Sequence, residues 1–149
     1  MSAEDLGEKG FLNTFNHVNA QAFVTAIFSK ELADFVADVH ERHNMPELIT
    51  GDFSPEQLAS TTNNPIDNYV DMINNEWGQE LGIVLAKQHG IDGQSEWTPK
   101  LLADFLNDMQ SYYTWAFGIS MDPFEPDDRA VKRFADKLNL VLAGETPIR

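Results

Sequence analysis

The chain has 149 residues, no cysteine, and 24 acidic against 10 basic Lys and Arg side chains, a formal net charge of −14. The missing cysteines exclude disulfides, thiolate zinc sites, iron–sulfur clusters and a cysteine nucleophile. The negative field repels phosphate backbones and anionic lipid, which argues against nonspecific nucleic-acid binding; such charge serves solubility, a salty habitat, or mimicry of nucleic acid toward a basic protein partner.

The length suits one domain, and we read residues 1–149 as a single helical domain with loose ends at 1–10 and 145–149. Met1-Ser2-Ala3-Glu4-Asp5 has neither the basic nor the apolar part of a secretory leader. The most apolar stretch, Ala20 to Phe28, is too short to span a bilayer. The expected location is the cytoplasm, or export by a route that reads another signal.

Helix punctuation is clear along the chain. A first helix covers about Leu12 to Phe28. Ser29 caps a second, on which Leu32, Phe35, Val36 and Val39 recur at i, i+3, i+4 and i+7 and are expected to face inward. Ser54-Pro55 opens a short helix. Asn64-Pro65 opens a long one with the stripe Ile66, Val70, Ile73, Trp77, Leu81 and Val84, which stops at Gly90. Thr98-Pro99 opens the next, with Leu102, Phe105, Leu106, Met109, Tyr112, Tyr113 and Ala116 inward and Gly118 as its stop. Pro126-Asp127-Asp128 opens the last, with Val131, Phe134, Leu138 and Val141 inward and Gly144 after it. No window alternates with the period of a strand, so the fold class is all-α, with five main helices. Loops fall near 44–53, 60–64, 90–97 and 119–125. The bulky residues in Ile91 to Trp97 and Ile119 to Phe124 predict that these segments pack down.

One helix carries a polar face where a core face belongs. Asp71, Asn74, Asn75, Gly78 and Gly82 stand at i, i+3, i+4, i+7 and i+11 and share one side, beside the apolar stripe. Each mid-helix glycine costs about 1 kcal/mol against alanine, which makes sense where another backbone comes close. Asp71 and Asn74 then point into a polar seam between the first three long helices. His17 shares a face with Asn13, Ala20 and Val24, and His40 lies beside Ala33 and Ala37. We expect His17, His40 and Asp71 to meet there. The plainer alternative is that each is a core residue with its hydrogen bonds satisfied.

These residues also form a pattern. Asn13-x-x-Asn16-His17, His40-Glu41 and Asp71-x-x-Asn74-Asn75-x-x-Gly78 resemble an uncharacterised bacterial all-helical domain family. Its pattern is Asp-x-x-Arg-His, His-Glu and Asp-x-x-Asn-Asn-x-x-Gly, and it is often found at the ends of secreted or toxin-like proteins. The resemblance covers residues 11 to 82. It implies roles for His17, His40, Glu41, Asp71, Asn74, Asn75 and Gly78. Asn13 stands where the family has aspartate, and Asn16 where it has arginine.

The chemistry these types suit is hydrolysis. His17, His40, Glu41 and Asp71 are the candidate catalytic residues: His40 as base, oriented by Asp71 or Glu41, and His17 as acid. Asn13, Asn16, Asn74 and Asn75 are the candidate substrate-binding residues, Asn74 or Asn75 donating to a developing oxyanion. No serine or threonine stands out as nucleophile, so water attacks directly. No cofactor is expected; the alternative is a divalent metal on His17, His40 and Asp71. The favoured reading is a hydrolase-like or effector domain of unknown substrate. Against it stand an acidic interaction protein (inhibitor or nucleic-acid mimic) and a structural domain whose polar seam fixes helix packing.

Overall fold

The computed structural model describes residues 11–61, 64–117 and 122–144. The expected loose ends, the stop at Gly118 and the start of the following loop lie outside the described residues, as does the side chain of Ala116. The described chain is helical and contains no strand. The helices are α1 (Phe11–Ile27), α2 (Lys30–Asn44), a 3₁₀ turn (Pro46–Leu48), α3 (Pro55–Ala59), α4 (Pro65–His89), α5 (Pro99–Phe117) and α6 (Arg129–Leu142). The all-α expectation holds. By its contacts the chain divides into two compact units, Met1–Ile83 and Val84–Arg149, with α4 running through the division.

The helix starts follow from capping chemistry. Ser29 Oγ accepts from the Leu32 N–H at 3.1 Å. Ser54 and Gln57 form a reciprocal capping box on α3. Asn64 Oδ1 accepts from the Ile66 N–H at 2.9 Å, and Thr98 Oγ1 from the Leu101 N–H at 3.1 Å. The last helix starts later than Pro126. Asp128 turns its carboxylate back onto the Glu125 N–H at 3.0 Å, closing the preceding turn instead of capping α6. Gly90, at φ +63°, takes the left-handed conformation that ends α4.

In the first unit the seam is a backbone contact. A Cβ placed on Gly78 would collide with the carbonyl oxygen of Val18 and lie 2.7 Å from Gln21 Cβ. One placed on Gly82 would lie 2.5 Å from the carbonyl oxygen of Ala22. Glycine is therefore required at both positions for α1 and α4 to touch. The polar side chains of the seam pair across it: Gln79 donates to Gln21 at 3.2 Å, and Asn74 Nδ2 to Thr14 Oγ1 at 3.4 Å.

The expected inward stripe of α2 is overturned, and that of α4 is buried only at Leu81. On α2 the buried face is Ala33, Ala37 and Glu41, while Leu32, Phe35, Val36 and Val39 are exposed, Phe35 to 65%. On α4 the buried side chains include Asp71, Asn74, Asn75, Gln79, Leu81 and Leu85, while Ile66, Ile73, Trp77 and Val84 are exposed. The reason is steric. Helices that meet backbone to backbone admit only small residues and flat carboxamides between them, so the bulky side chains turn out.

The second unit follows its sequence pattern more closely. Leu102, Phe105, Met109 and Tyr113 are buried, as are Val131 and Ala135, whereas Phe134 is exposed. The segment from Ile91 to Trp97 packs down as expected. Ile91 and Trp97 are buried, and the Trp97 ring meets Phe105 edge-on with centroids 5.4 Å apart. Asn139 on α6 clamps it, accepting from the Trp97 N–H at 2.8 Å and donating to the Trp97 carbonyl at 3.1 Å. Asn107 on α5 grips Phe124 in the same way, at 2.7 and 2.9 Å.

Two stability measurements check this packing. Gly78→Ala lowers the unfolding free energy in urea by about 1–3 kcal/mol despite its gain of about 1 kcal/mol in helix propensity. Gly93→Ala, with nothing within 4 Å of the added carbon, is the neutral comparison. A Gly78→Ala protein as stable as wild type means that α1 and α4 do not touch. Asn139→Ala removes the bonds to the Trp97 N–H and carbonyl and costs about 1–3 kcal/mol; an unchanged midpoint refutes the clamp.

Candidate functional site

One turn of each of three helices builds the site. On α1, Asn13 and His17 are i, i+4; on α4, Asp71 and Asn75 are i, i+4; α2 contributes Glu41. Because α1 and α4 touch along the glycine face, the first two pairs interlock. Asn13 Nδ2 donates to Asp71 Oδ1 at 2.7 Å. His17 Nδ1 and Asn75 Oδ1 are 2.9 Å apart. A carboxamide oxygen only accepts, so His17 carries its proton on Nδ1 and turns Nε2 toward Asp71 Oδ2, at 3.5 Å.

Glu41 completes the group. It is 2% exposed, and its Oε1 is buried with no hydrogen-bond partner. One ligating atom each from His17, Glu41 and Asp71 lies within 4.8 Å of the others. No lysine or arginine pairs with either carboxylate among the described residues. The charges act on Asp71 accordingly. Burial pushes its carboxyl up, the His17 ring opposes this, and the neighbouring Glu41 and Asp67 carboxylates add to it, leaving the pKa at about 6.

A cavity of about 270 Å3 adjoins the group, lined on its polar side by Asn16, His17, His40, Glu41 and Asn75. Its apolar wall is Ala20, Val36 and Ala37, with the stem of Gln21. The seam thus opens to a space of small-molecule size.

The expected trio of His17, His40 and Asp71 is corrected to His17, Glu41 and Asp71. His40 is exposed, stands at the cavity wall, and sits 3.1 Å from Asn44 Nδ2 of its own helix. Consecutive helical side chains diverge by about 100°, so only one of His40 and Glu41 can face the seam. The Ala33/Ala37/Glu41 spacing, i, i+4, i+8, selects Glu41; that small-residue stripe was the legible signal. Of the four candidate substrate-binding asparagines, Asn16 and Asn75 line the cavity, whereas Asn13 supports Asp71 and Asn74 ties α4 to Thr14. Asp67, one turn before Asp71, acts on the site by its charge and was not foreseen.

No protein-family model, curated protein or solved structure matches the chain.

The raised Asp71 pKa has a thermodynamic consequence with a definite sign. The carboxyl titrates near 3.8 when unfolded and near 6 when folded, so the native state holds the proton more tightly. Its stabilising contribution is complete below about pH 4 and disappears as pH rises through about 6, a swing of about 2–3 kcal/mol. In chelator-treated protein, the stability difference between wild type and Asp71→Asn should therefore grow in favour of the variant between about pH 4.5 and 7.5. A difference independent of pH shows that the carboxyl is not held up.

Proposed function

We propose that this is a hydrolase-like effector domain whose chemistry resides in the His17–Glu41–Asp71 group and whose substrate, small or the end of something larger, enters the adjoining cavity. The observation that carries the reading is the convergence of three titratable side chains from three helices, two of which, His17 and Glu41, line a cavity of about 270 Å3, with Asp71 behind them. Asp71, at about 6, is poised for proton transfer near neutral pH.

The reaction is attack by water. A carboxylate of the group takes one proton as the water oxygen bonds to an electrophilic carbon or phosphorus. The leaving group departs with the proton that the carboxylate has taken from the water. Asn16, on the cavity wall, supplies an Nδ2–H donor to the charge that develops on the substrate oxygen. His40 contributes to the wall and not to proton transfer. The resemblance to a helical family found on secreted and toxin-like proteins supports the effector part of the reading.

The test needs no knowledge of the substrate. Wild-type protein produced in a bacterial host, in the cytoplasm and separately exported, should slow growth in one of the two compartments. Asp71→Asn and Glu41→Gln, at equal levels of folded protein, should relieve it, while His43→Ala, on the exposed side of α2, should not. Unimpaired growth in both compartments, or inhibition that persists in both site variants, defeats the proposal.

A further inference from the structure

The His17–Glu41–Asp71 group poses a question that proton transfer alone does not answer. Two carboxylates, 2% and 6% exposed, stand together without a lysine or arginine among the described residues. Buried carboxylates without a counter-charge are strongly disfavoured. A proton on His17 would serve Asp71, 3.5 Å away, but would leave Glu41 Oε1 unpartnered. Both oxygens and the imidazole lone pair need something small and positive between them.

We propose that His17 Nε2, one oxygen of Glu41 and Asp71 Oδ2 bind a single divalent transition ion of the zinc or manganese type. The surrounding hydrogen bonds suit ligation atom by atom. Asn75 holds the His17 proton on Nδ1, which leaves Nε2 as the lone-pair nitrogen facing the carboxylates. Asn13 occupies Asp71 Oδ1, which leaves Oδ2 for the ion. Such outer partners orient metal-binding imidazoles and carboxylates and strengthen them as ligands. Bonds of about 2.0–2.2 Å at tetrahedral angles put ligand atoms about 3.4–3.6 Å apart; His17 Nε2 and Asp71 Oδ2 already stand 3.5 Å apart, and the 4.8 Å spread of the three closes with a shift of about 1 Å at the Glu41 carboxylate, a rotation of its side chain. One imidazole with two carboxylates favours a first-row ion over calcium or magnesium, which take oxygen ligands. Three protein ligands leave positions for water, on the side where Glu41 and His17 line the cavity. The inference deepens the hydrolytic reading, on which it rests only for what the open positions do; the binding of the ion stands by itself.

Binding is measured on chelator-stripped full-length protein, with Zn2+ in calorimetry and Mn2+ in electron paramagnetic resonance. One ion per chain is expected, with a dissociation constant in the micromolar range or below. Glu41→Gln and His17→Gln should each weaken binding at least 100-fold. Asn75→Ala, which touches no ion and only releases the His17 ring, should weaken it about tenfold. Glu41→Gln keeps the shape of the side chain, so its stripped form should melt no lower than stripped wild type, while losing the rise in Tm that metal gives wild type. Absence of stoichiometric binding, or binding that Glu41→Gln and His17→Gln leave intact, overturns the cation site. If the ion binds as stated and wild-type protein leaves bacterial growth unimpaired, the hydrolytic reading fails and the site stands. If growth inhibition depends on Glu41 and Asp71 but stripped protein takes up no ion, the cation site fails and the hydrolytic reading stands.

Discussion

The approach of α1 to α4 at Gly78 and Gly82 decides where every other group of the first unit goes. At these positions the helices are separated by less than the width of a methyl group from backbone contact: an added Cβ meets the carbonyl oxygens of Val18 and Ala22. Contact this close fixes the rotation of both helices about their axes. On α4 that rotation carries Asp71, Asn74, Asn75 and Gln79 into the seam, because they share the glycine face. On α1 it presents Asn13, Thr14, His17 and Gln21 to them. The polar pairs are thus consequences of the glycine contact, and they in turn make the contact specific, since a slip by one turn would leave each carboxamide facing the wrong neighbour.

The same constraint explains an inversion of ordinary amphipathic design. α2 and α4 turn large apolar side chains outward, among them Phe35, Val39, Ile66 and Ile73, each at least half exposed. Burial of such side chains is worth about 1.5–3 kcal/mol each, so the first unit forgoes a sizeable hydrophobic stabilisation to keep its inner face polar and small. It is this inner face that gathers His17, Glu41 and Asp71. The second unit makes the opposite choice, with Trp97, Phe105, Leu102 and Tyr113 fully inside and its polar clamps, Asn107 and Asn139, spent on holding loops.

Much of this was legible in the residues. Caps and stops placed the helices, because Ser29, Ser54, Asn64 and Thr98 have short side chains that reach back to orphan backbone N–H groups. The glycine spacing on α4 told of a close approach and of a polar seam. What misled was weight. A stripe such as Leu32, Phe35, Val36 and Val39 outranks Ala33 and Ala37 on any hydrophobic scale, yet alanine is what a backbone-to-backbone interface admits. With α2 rotated accordingly, Glu41 goes in and His40 goes out, and the histidine that sequence chemistry favours as a base becomes part of the cavity wall. The start of α6 was misjudged for a related reason: Asp128 has the composition of a cap, but its carboxylate is used one turn earlier, on the Glu125 N–H.

The central claim is that His17 shares one group with Asp71 and Glu41, and the side-chain nitrogen resonances of His17 report on it most directly. In 15N-labelled, chelator-treated protein, the account predicts a proton on His17 Nδ1, and ring shifts that change in both Asp71→Asn and Glu41→Gln but scarcely in His40→Ala. A His17 ring that carries its proton on Nε2 and ignores Glu41→Gln would contradict the convergence on which the site depends.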